Sequence, residues 1–572
     1  MRTSELFITG GVAACFLFAG NALGQWSSDS LLNLQICDLT GDQVIPKIAE
    51  TTDGGCFISW FDSRNGSYCL YLQRLDYQGN TLFPENGLLV SDHAQQTWLV
   101  DYDMEVDAND NAVLVFSDTR NEPDELDVSA YKIGSDGTFL WGPDGICLSN
   151  PGEPGFEPYP TLAITGNGNC VVTWGKATTE SFLVFQKLSP AGEKLWGDWG
   201  ITLESAADLS TPFVTAAGED SVIVLWKSAT GSFPSQVISL YTQKFDMNGV
   251  GVWGDTPMLI YDSGAITAWN NPEIISDGNN GAVYSWYDSP DLSTFNVWVQ
   301  HIDSGGNLLF PANGAQASTN STDRLHMYPS ATCNSANGEI CVFWVEENDN
   351  QNQYGLYGQR FSPAGDRLWT DSGLELLPLA SSQISPLAAV DSDEPGIFIG
   401  YLYGTPNAAL RTVNIDYDGT VLWGPVTLSA GSLGDKGDLQ SCPGFDQSAF
   451  YAWNDSRNSS GIFAQNVHQD GSLGPYLGIS GAAPGTDLNQ LSVFPNPSNG
   501  MITVSFIMET AGSASLEIYD MGGRLAGILA SGELGPGEHS VSWQRDSGIA
   551  TGIYMLRLKT GGNQSVSRLV LL

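Results

Sequence analysis

Along most of the chain, short apolar runs end on an aromatic residue and then break into polar, glycine-containing turns. The closing aromatics are Trp60, Phe116, Trp174, Trp226, Trp286, Trp344, Tyr401 and Trp453, spaced 52 to 60 residues apart. Pro46, Pro160, Pro212 and Pro272 stand 14 residues before their aromatic, and Pro329 and Pro386 stand 15 before. Tyr102 and Leu439 fill the same slot in the other two units. A glycine follows each aromatic by about 20 residues: Gly79, Gly137, Gly192, Gly249, Gly306, Gly365, Gly419 and Gly471. Four residues later comes Phe83, Trp141, Trp196, Trp253, Phe310, Trp369 or Trp423, whereas the eighth unit has Pro475. Three markers held in register through eight copies define an internal repeat.

Each unit predicts four short strands, as in "PTLAIT", "CVVTW", "FLVFQKL" and "GICLS". Gly, Asn and Asp between them supply the positive φ of tight hairpins. Proline at the start of the first strand costs no ladder hydrogen bond. A lone four-stranded sheet cannot bury its aromatics, each worth roughly 1.5–3 kcal/mol when buried, so neighbouring sheets must stack. Four strands at this period predict a β-propeller over residues 25–477, with eight blades or, alternatively, seven. The eighth unit degenerates after Gly471, so residues 31–39 are expected to complete it beside strands from 435–470 and close the ring.

From Leu491 the pattern changes to alternating strands over some 80 residues, which predicts an Ig-like β-sandwich. "GISGAAPGTD" sits within a small, polar linker, 478–490. "FPNPSNG" (Phe494 to Gly500), "IYDMGGR" (Ile518 to Arg524), "GIYMLRL" (Gly552 to Leu558) and the terminal "RLVLL" resemble the type A C-terminal sorting domain of the type IX secretion system. They resemble more distantly the Ig-like domain of flagellar hook-capping proteins. The resemblance implies recognition of 491–572 by type IX machinery and release from, or attachment to, the outer surface of a Gram-negative bacterium. The upstream units are similar to repeats joined to such sorting domains in secreted bacterial proteins, a likeness that implies no particular activity.

The amino terminus agrees with export. Arg2, the apolar run Leu6 to Gly20, and Ala22 and Gly24 before Gln25 predict a signal peptide over 1–24. No other segment is apolar enough to span a membrane as a helix. Eight cysteines follow the signal. In an exported chain they admit disulfides, with Cys56–Cys69 and Cys333–Cys341 flanking expected hairpins, or equally buried thiols. The net charge of −42 excludes nucleic acid as a partner. The tail is nearly neutral, five basic against six acidic residues, so the repeats carry almost all of that charge.

Catalytic signatures are missing: the chain has no H-E-x-x-H, no G-x-S-x-G and no Walker loop. The five histidines share no ligand spacing. "SDGTFLWGPDG" (Ser135 to Gly145) suggests the Asp box of sialidases, but the recurring acid lies three before the glycine and the aromatic four after. That spacing makes the stretch a blade marker. "DANDNA" (Asp107 to Ala112) and "DSDEPG" (Asp391 to Gly396) read as turns between first and second strands. They lack the bidentate Glu of a calcium loop, which leaves Ca2+ unassigned and no cofactor indicated.

"FDSRNG", "SDTRNE" and "NDSRNS" follow the second strand of units one, two and eight, which are consecutive in a closed ring. They bring Arg64, Arg120 and Arg457 into one sector. Forked guanidiniums suit carboxylate or sulfate, so these residues form a candidate anionic-ligand cluster. The local reading pairs each with Asp62, Asp118 or Asp455 two residues earlier. The function expected is a non-catalytic binding or adhesion platform for glycan or protein. A polysaccharide hydrolase or lyase and a structural matrix component are the alternatives, and the fold alone does not choose between them.

Overall fold

The computed structural model describes residues 25–476 and 492–571, except for 96–100, 122–124, 154, 232–235, 264–265, 292, 321–323, 392–395, 458, 495–500, 509–511, 521–523, 536, 546–548 and 561–562. The expected signal peptide, the linker, the "DSDEPG" turn and most of "FPNPSNG" lie outside the described residues.

The described residues before 477 form eight four-stranded antiparallel sheets. Seven take consecutive strands, such as Thr161–Ile164, Cys170–Ala177, Ser181–Leu188 and Ile201–Leu203. The first strands adjoin one another in unbroken succession, from Gln43–Glu50 round to Lys436–Gly444 and back to Gln43–Glu50. First strands therefore stand at the centre of a closed, propeller-like ring. The second strands are buried on both faces; Cys56–Asp62 and Ala282–Asp288 are buried at every position. Trp60, Trp174, Trp226, Trp286, Trp344 and Trp453 lie fully inside.

The eighth sheet is completed from the other end of the chain. Leu34–Cys37 pairs antiparallel with Gly461–Val467, setting Leu34 opposite Ala464 and Cys37 opposite Ile462. A second device explains why the eighth unit departs at Pro475. Each turn glycine leaves room for the late aromatic of the preceding unit. A Cβ on Gly306 would lie 2.6 Å from Trp253, and one on Gly419 would lie 3.0 Å from Trp369. At Gly79, in the first unit, the neighbour is Trp26. Its indole N–H donates to Tyr77 O at 2.9 Å, just as Trp196 donates to Met247 O at 3.0 Å. Trp26 thus supplies the aromatic that the eighth unit lacks.

The eight cysteines are thiols. Of the two readings left open, a Cys56–Cys69 disulfide fails on register: Cys56 faces Leu75 and Cys69 faces Asp62, at opposite ends of the hairpin. Cys333 faces Ile340, while Cys341 faces Thr332.

The carboxy-terminal domain has a three-stranded sheet of Ser492–Phe494, Met501–Met508 and Gly537–Gln544. Its four-stranded partner orders Leu525–Leu534, Gly512–Asp520, Gly552–Thr560 and Asn563–Leu571. Ile502, Val504, Phe506, Leu516, Ile518 and Leu556 form one core.

Trp26 is 1% exposed. Trp26→Ala should cost about 3–4 kcal/mol of stability in denaturant unfolding, as for other buried tryptophans. A loss below about 1 kcal/mol would show that the ring closes without it.

Candidate functional site

Strand direction alternates, so the ring has two unlike ends. One end carries the loops between second and third strands together with the connections into the first strands. We call it the entry face. The other carries the turns between first and second strands and the glycine turns. A cavity of about 400 Å³ opens at that second end, between Thr52, Gly54, Asp107 and Gly444. Asp107 there accepts Asn109 and Asn111 amides at 2.9 Å and pairs with Lys132 at 2.8 Å, so "DANDNA" is a satisfied turn.

Arg64, Arg120 and Arg457 lie on the entry face, each held by the Asp two residues before it at 2.5, 2.6 and 2.6 Å. Asp62, Asp118 and Asp455 are buried. Asp62 accepts the Arg64 amide at 2.8 Å and the Trp60 indole N–H at 3.0 Å, and Asp455 accepts the Arg457 amide at 2.9 Å and the Trp453 indole at 3.1 Å. Burial alone would raise the Asp62 carboxyl, but the hydrogen bonds from Arg64 and Trp60 outweigh it and hold the pKa below its ordinary value. Each fork then reaches the segment before its sheet's fourth strand. Arg64 donates to Asn86 O at 3.0 Å, Arg120 to Asp144 O at 2.6 Å and Arg457 to Asn33 Oδ1 at 3.0 Å. Arg64 also covers the Tyr71 ring at 3.9 Å, and Arg457 covers Phe463 at 3.8 Å. In this geometry the three arginines act as loop clamps. Asp288, which lacks an arginine, is instead bonded by Tyr261 OH and by Asn296 at 2.9 Å.

The sequence pattern gave no warning of a second feature, at the mouth of the central channel. The residue before the proline slot takes a left-handed φ in five units: Ile45 (52°), Tyr159 (55°), Thr211 (52°), Tyr328 (54°) and Asp438 (48°). For non-glycine residues this is strained by about 1–3 kcal/mol each. The ladder skips at this point in the first, fourth, sixth, seventh and eighth sheets. Neighbouring sheets catch the bulged carbonyls: Tyr102 OH donates to Ile45 O at 3.0 Å and Thr161 Oγ1 to Pro212 O at 3.1 Å. Of these residues Tyr159 and Tyr328 are turned outward, 40% and 44% exposed, whereas Ile45 packs against the core between the first and second sheets. Asp101, Asn271 and Ser385 occupy the slot in the remaining units. The anchors repeat, whereas the residue one place before them differs almost everywhere.

Carboxylates line the channel between the inner strands. Asp103 accepts the Leu162 amide at 3.0 Å, Glu105 the Ile164 amide at 2.8 Å and Asp438 the Ile45 amide at 3.4 Å. Glu273 does the same for Ala331. Each acid thus covers an inward-facing N–H of the next sheet, groups that an open strand edge would leave bare. Lys47 sits among them, 2.9 Å from Asp101. Enclosure by protein, and then the Asp103 charge, push the Glu105 carboxyl up to about 8. Enclosure pushes Glu273 up to about 7. A carboxyl neutral near pH 7 can donate a proton. No three acids, histidines or cysteines among the described residues cluster as a metal site.

Residues 492–572 match the secretion system C-terminal sorting domain. This sorting domain marks the chain for type IX export, so the protein is secreted or held at the cell surface. No helix among the described residues is long and apolar enough to cross a membrane. No curated protein matches the sequence. Among solved structures, the chain is similar to the Dos1 propeller, at 13% identity over 76% of this chain and 94% of that one, with a TM-score of 0.46. The BP39L lectin from Burkholderia pseudomallei matches at 13% identity over 66% and 98%, with a TM-score of 0.42. The polysaccharide lyase Uly1 matches at 11% over 74% and 90%, with a TM-score of 0.40. The propeller-like assignment rests on the strand order and closure of the ring itself.

The raised Glu105 pKa has a stability consequence. The folded state binds this proton more tightly than the unfolded chain, so the contribution is present below about pH 4.5 and is lost as pH rises through about 8. Glu105→Gln should therefore flatten the fall in melting temperature between pH 5 and 8.5 by roughly 1–3 °C. Parallel wild-type and variant curves would contradict the burial of a carboxyl there.

Proposed function

We propose that this is a secreted or surface-attached binding platform: an eight-bladed propeller whose entry face meets a glycan or protein ligand, delivered by an Ig-like sorting domain. Eight four-stranded sheets, with the last completed by Leu34–Cys37, support eight blades over seven. The observation that carries the binding role is the unlike set of residues in one strained slot round the channel mouth. Strain retained at a repeated position, with Tyr159 and Tyr328 turned outward, fits selection for contact rather than for packing. Arg64, Arg120 and Arg457 belong to the same face. Any anionic-ligand contact by them would use guanidiniums already committed to Asn86, Asp144 and Asn33.

The polysaccharide hydrolase or lyase reading draws its support from Glu105, whose carboxyl is pushed up to about 8 beside Asp103. Against it, both acids are engaged with backbone amides of the third sheet.

The platform reading is tested by screening the chain from residue 25 onward against glycans and surface proteins. Tyr159→Ala with Tyr328→Ala should weaken the ligand found by about tenfold or more while leaving the melting temperature within a few degrees. Unchanged binding, no ligand, or turnover of the ligand abolished by Glu105→Gln would each count against it.

A further inference from the structure

In five units the residue two after the closing aromatic is an acid: Asp62, Asp118, Asp288, Glu346 and Asp455. The third unit has Lys176 there, paired with Glu157, and the fourth has Ser228. The seventh unit breaks the pattern twice. Tyr403 takes the place of the acid. Across the ladder from its closing aromatic, Tyr401, stands Arg411. Every other unit has an uncharged residue at that position, such as Tyr71, Tyr241 or Phe463.

Arg411 therefore lacks the counter-charge found elsewhere. The other seven arginines of the ring each have a carboxylate oxygen within 3.7 Å. Among the described residues Arg411 forms no ion pair. Its neighbours are aromatic: its guanidinium lies over the Tyr403 ring at 4.0 Å and beside the Tyr401 hydroxyl. Burial raises that hydroxyl, the Arg411 charge opposes the rise, and no carboxylate takes part. In the first and sixth sheets, Tyr71 and Tyr357 stand at the Arg411 position and lie in the fields of Asp62 and Glu346. Arg411 and Tyr403 are partly exposed, and Thr405 to Asn407 of the adjoining entry-face loop are exposed. A guanidinium drawn part-way from water without a counter-charge is costly, and a stacked ring offsets only part of that cost.

Resting on the platform reading, we infer that Arg411 and Tyr403 form a subsite for a uronate residue of an otherwise neutral glycan. Arg64, Arg120 and Arg457 have their forks occupied by Asn86, Asp144 and Asn33, whereas Arg411 has no carboxylate or carbonyl acceptor among the described residues. Its fork offers parallel N–H groups to a planar carboxylate, and the stack on Tyr403 fixes the plane of the fork in advance. The partly exposed Tyr403 ring gives an apolar surface to the pyranose that carries the carboxylate. An acidic peptide brings its carboxylate on a rotatable arm, which loses freedom on binding. The net charge of −42 leaves room for one anion here, because exposed charges beyond about 8 Å are screened at physiological salt. A continuous polyuronate would extend along the acidic surface and be repelled.

Affinity electrophoresis of the chain from residue 25 onward tests this. The gels contain glucuronoxylan or xanthan, the same polymers with their carboxyls reduced to alcohols, polygalacturonate, or poly-glutamate. At least one of the two uronate-bearing polymers should retard the wild type, and its reduced form should not. Arg411→Gln should weaken the retardation about tenfold, and Arg411→Lys, which keeps the charge without the fork, should weaken it less. Both variants should melt near the wild type. The reduced polymers test the same contact on the unaltered chain, whatever the variants do to folding. No retardation by either uronate polymer, equal retardation by intact and reduced polymers, undiminished binding by Arg411→Gln, or retention by polygalacturonate or poly-glutamate alone would overturn the subsite and leave the platform standing. Binding to neither glycan nor protein would remove both.

Discussion

A four-stranded sheet whose second strand is buried along most of its length cannot stand in water, because both of its faces need covering. In this protein that requirement repeats eight times, and a row of such sheets satisfies it everywhere except at its two ends. Closing the row into a ring removes the ends. The chain does so twice over at a single seam: Leu34–Cys37 completes the eighth sheet, and Trp26 fills the space above Gly79 that the eighth unit leaves empty. Ring closure by exchanged termini makes the stability of every sheet depend on that seam. The central channel and its two unlike faces follow from the closure.

The ring then faces a second difficulty, which the channel carboxylates answer. First strands present unpaired amides to the channel, and Asp103, Glu105, Asp438 and Glu273 accept amides across the junctions between sheets. Acid residues that look catalytic by pKa thus have a structural use. The same economy holds on the entry face, where arginine forks join loops to fourth strands. What remains outside these contacts is small: the exposed rings of Tyr159 and Tyr328 and the exposed indole of Trp269. The proposed binding face draws on the exposed Tyr159 and Tyr328, in the slot before the proline.

Much of the architecture was legible from spacing. The aromatic, proline and glycine markers recur with the four-stranded sheets because buried side chains must recur wherever a sheet must be covered. The N-terminal strand was foreseen from the failure of the eighth unit after Gly471. Trp26 was not, since nothing near residue 26 says that its partner is Gly79. The site was far less legible. Arg64, Arg120 and Arg457 follow the second strands of units one, two and eight, but their acceptors Asn86, Asp144 and Asn33 are remote in sequence or come from the other terminus. The proline slot was read as an anchor, and the residue before it was overlooked because left-handed backbone in Ile45 or Thr211 has no compositional sign. Arg411 was overlooked because it stands outside the Asp-x-Arg loops. The Cys56–Cys69 pairing failed because flanking a hairpin does not place two residues at the same end of it.

Hydrogen–deuterium exchange read by mass spectrometry on the chain from residue 25 onward tests the closed ring most directly. The account predicts that amides of Leu34–Cys37 exchange as slowly as those of Gly461–Val467, and that both segments open together under mild denaturant. Rapid exchange of 34–37 beside a protected 461–467 would contradict it, because the eighth sheet would then lack its fourth strand and the ring its seam.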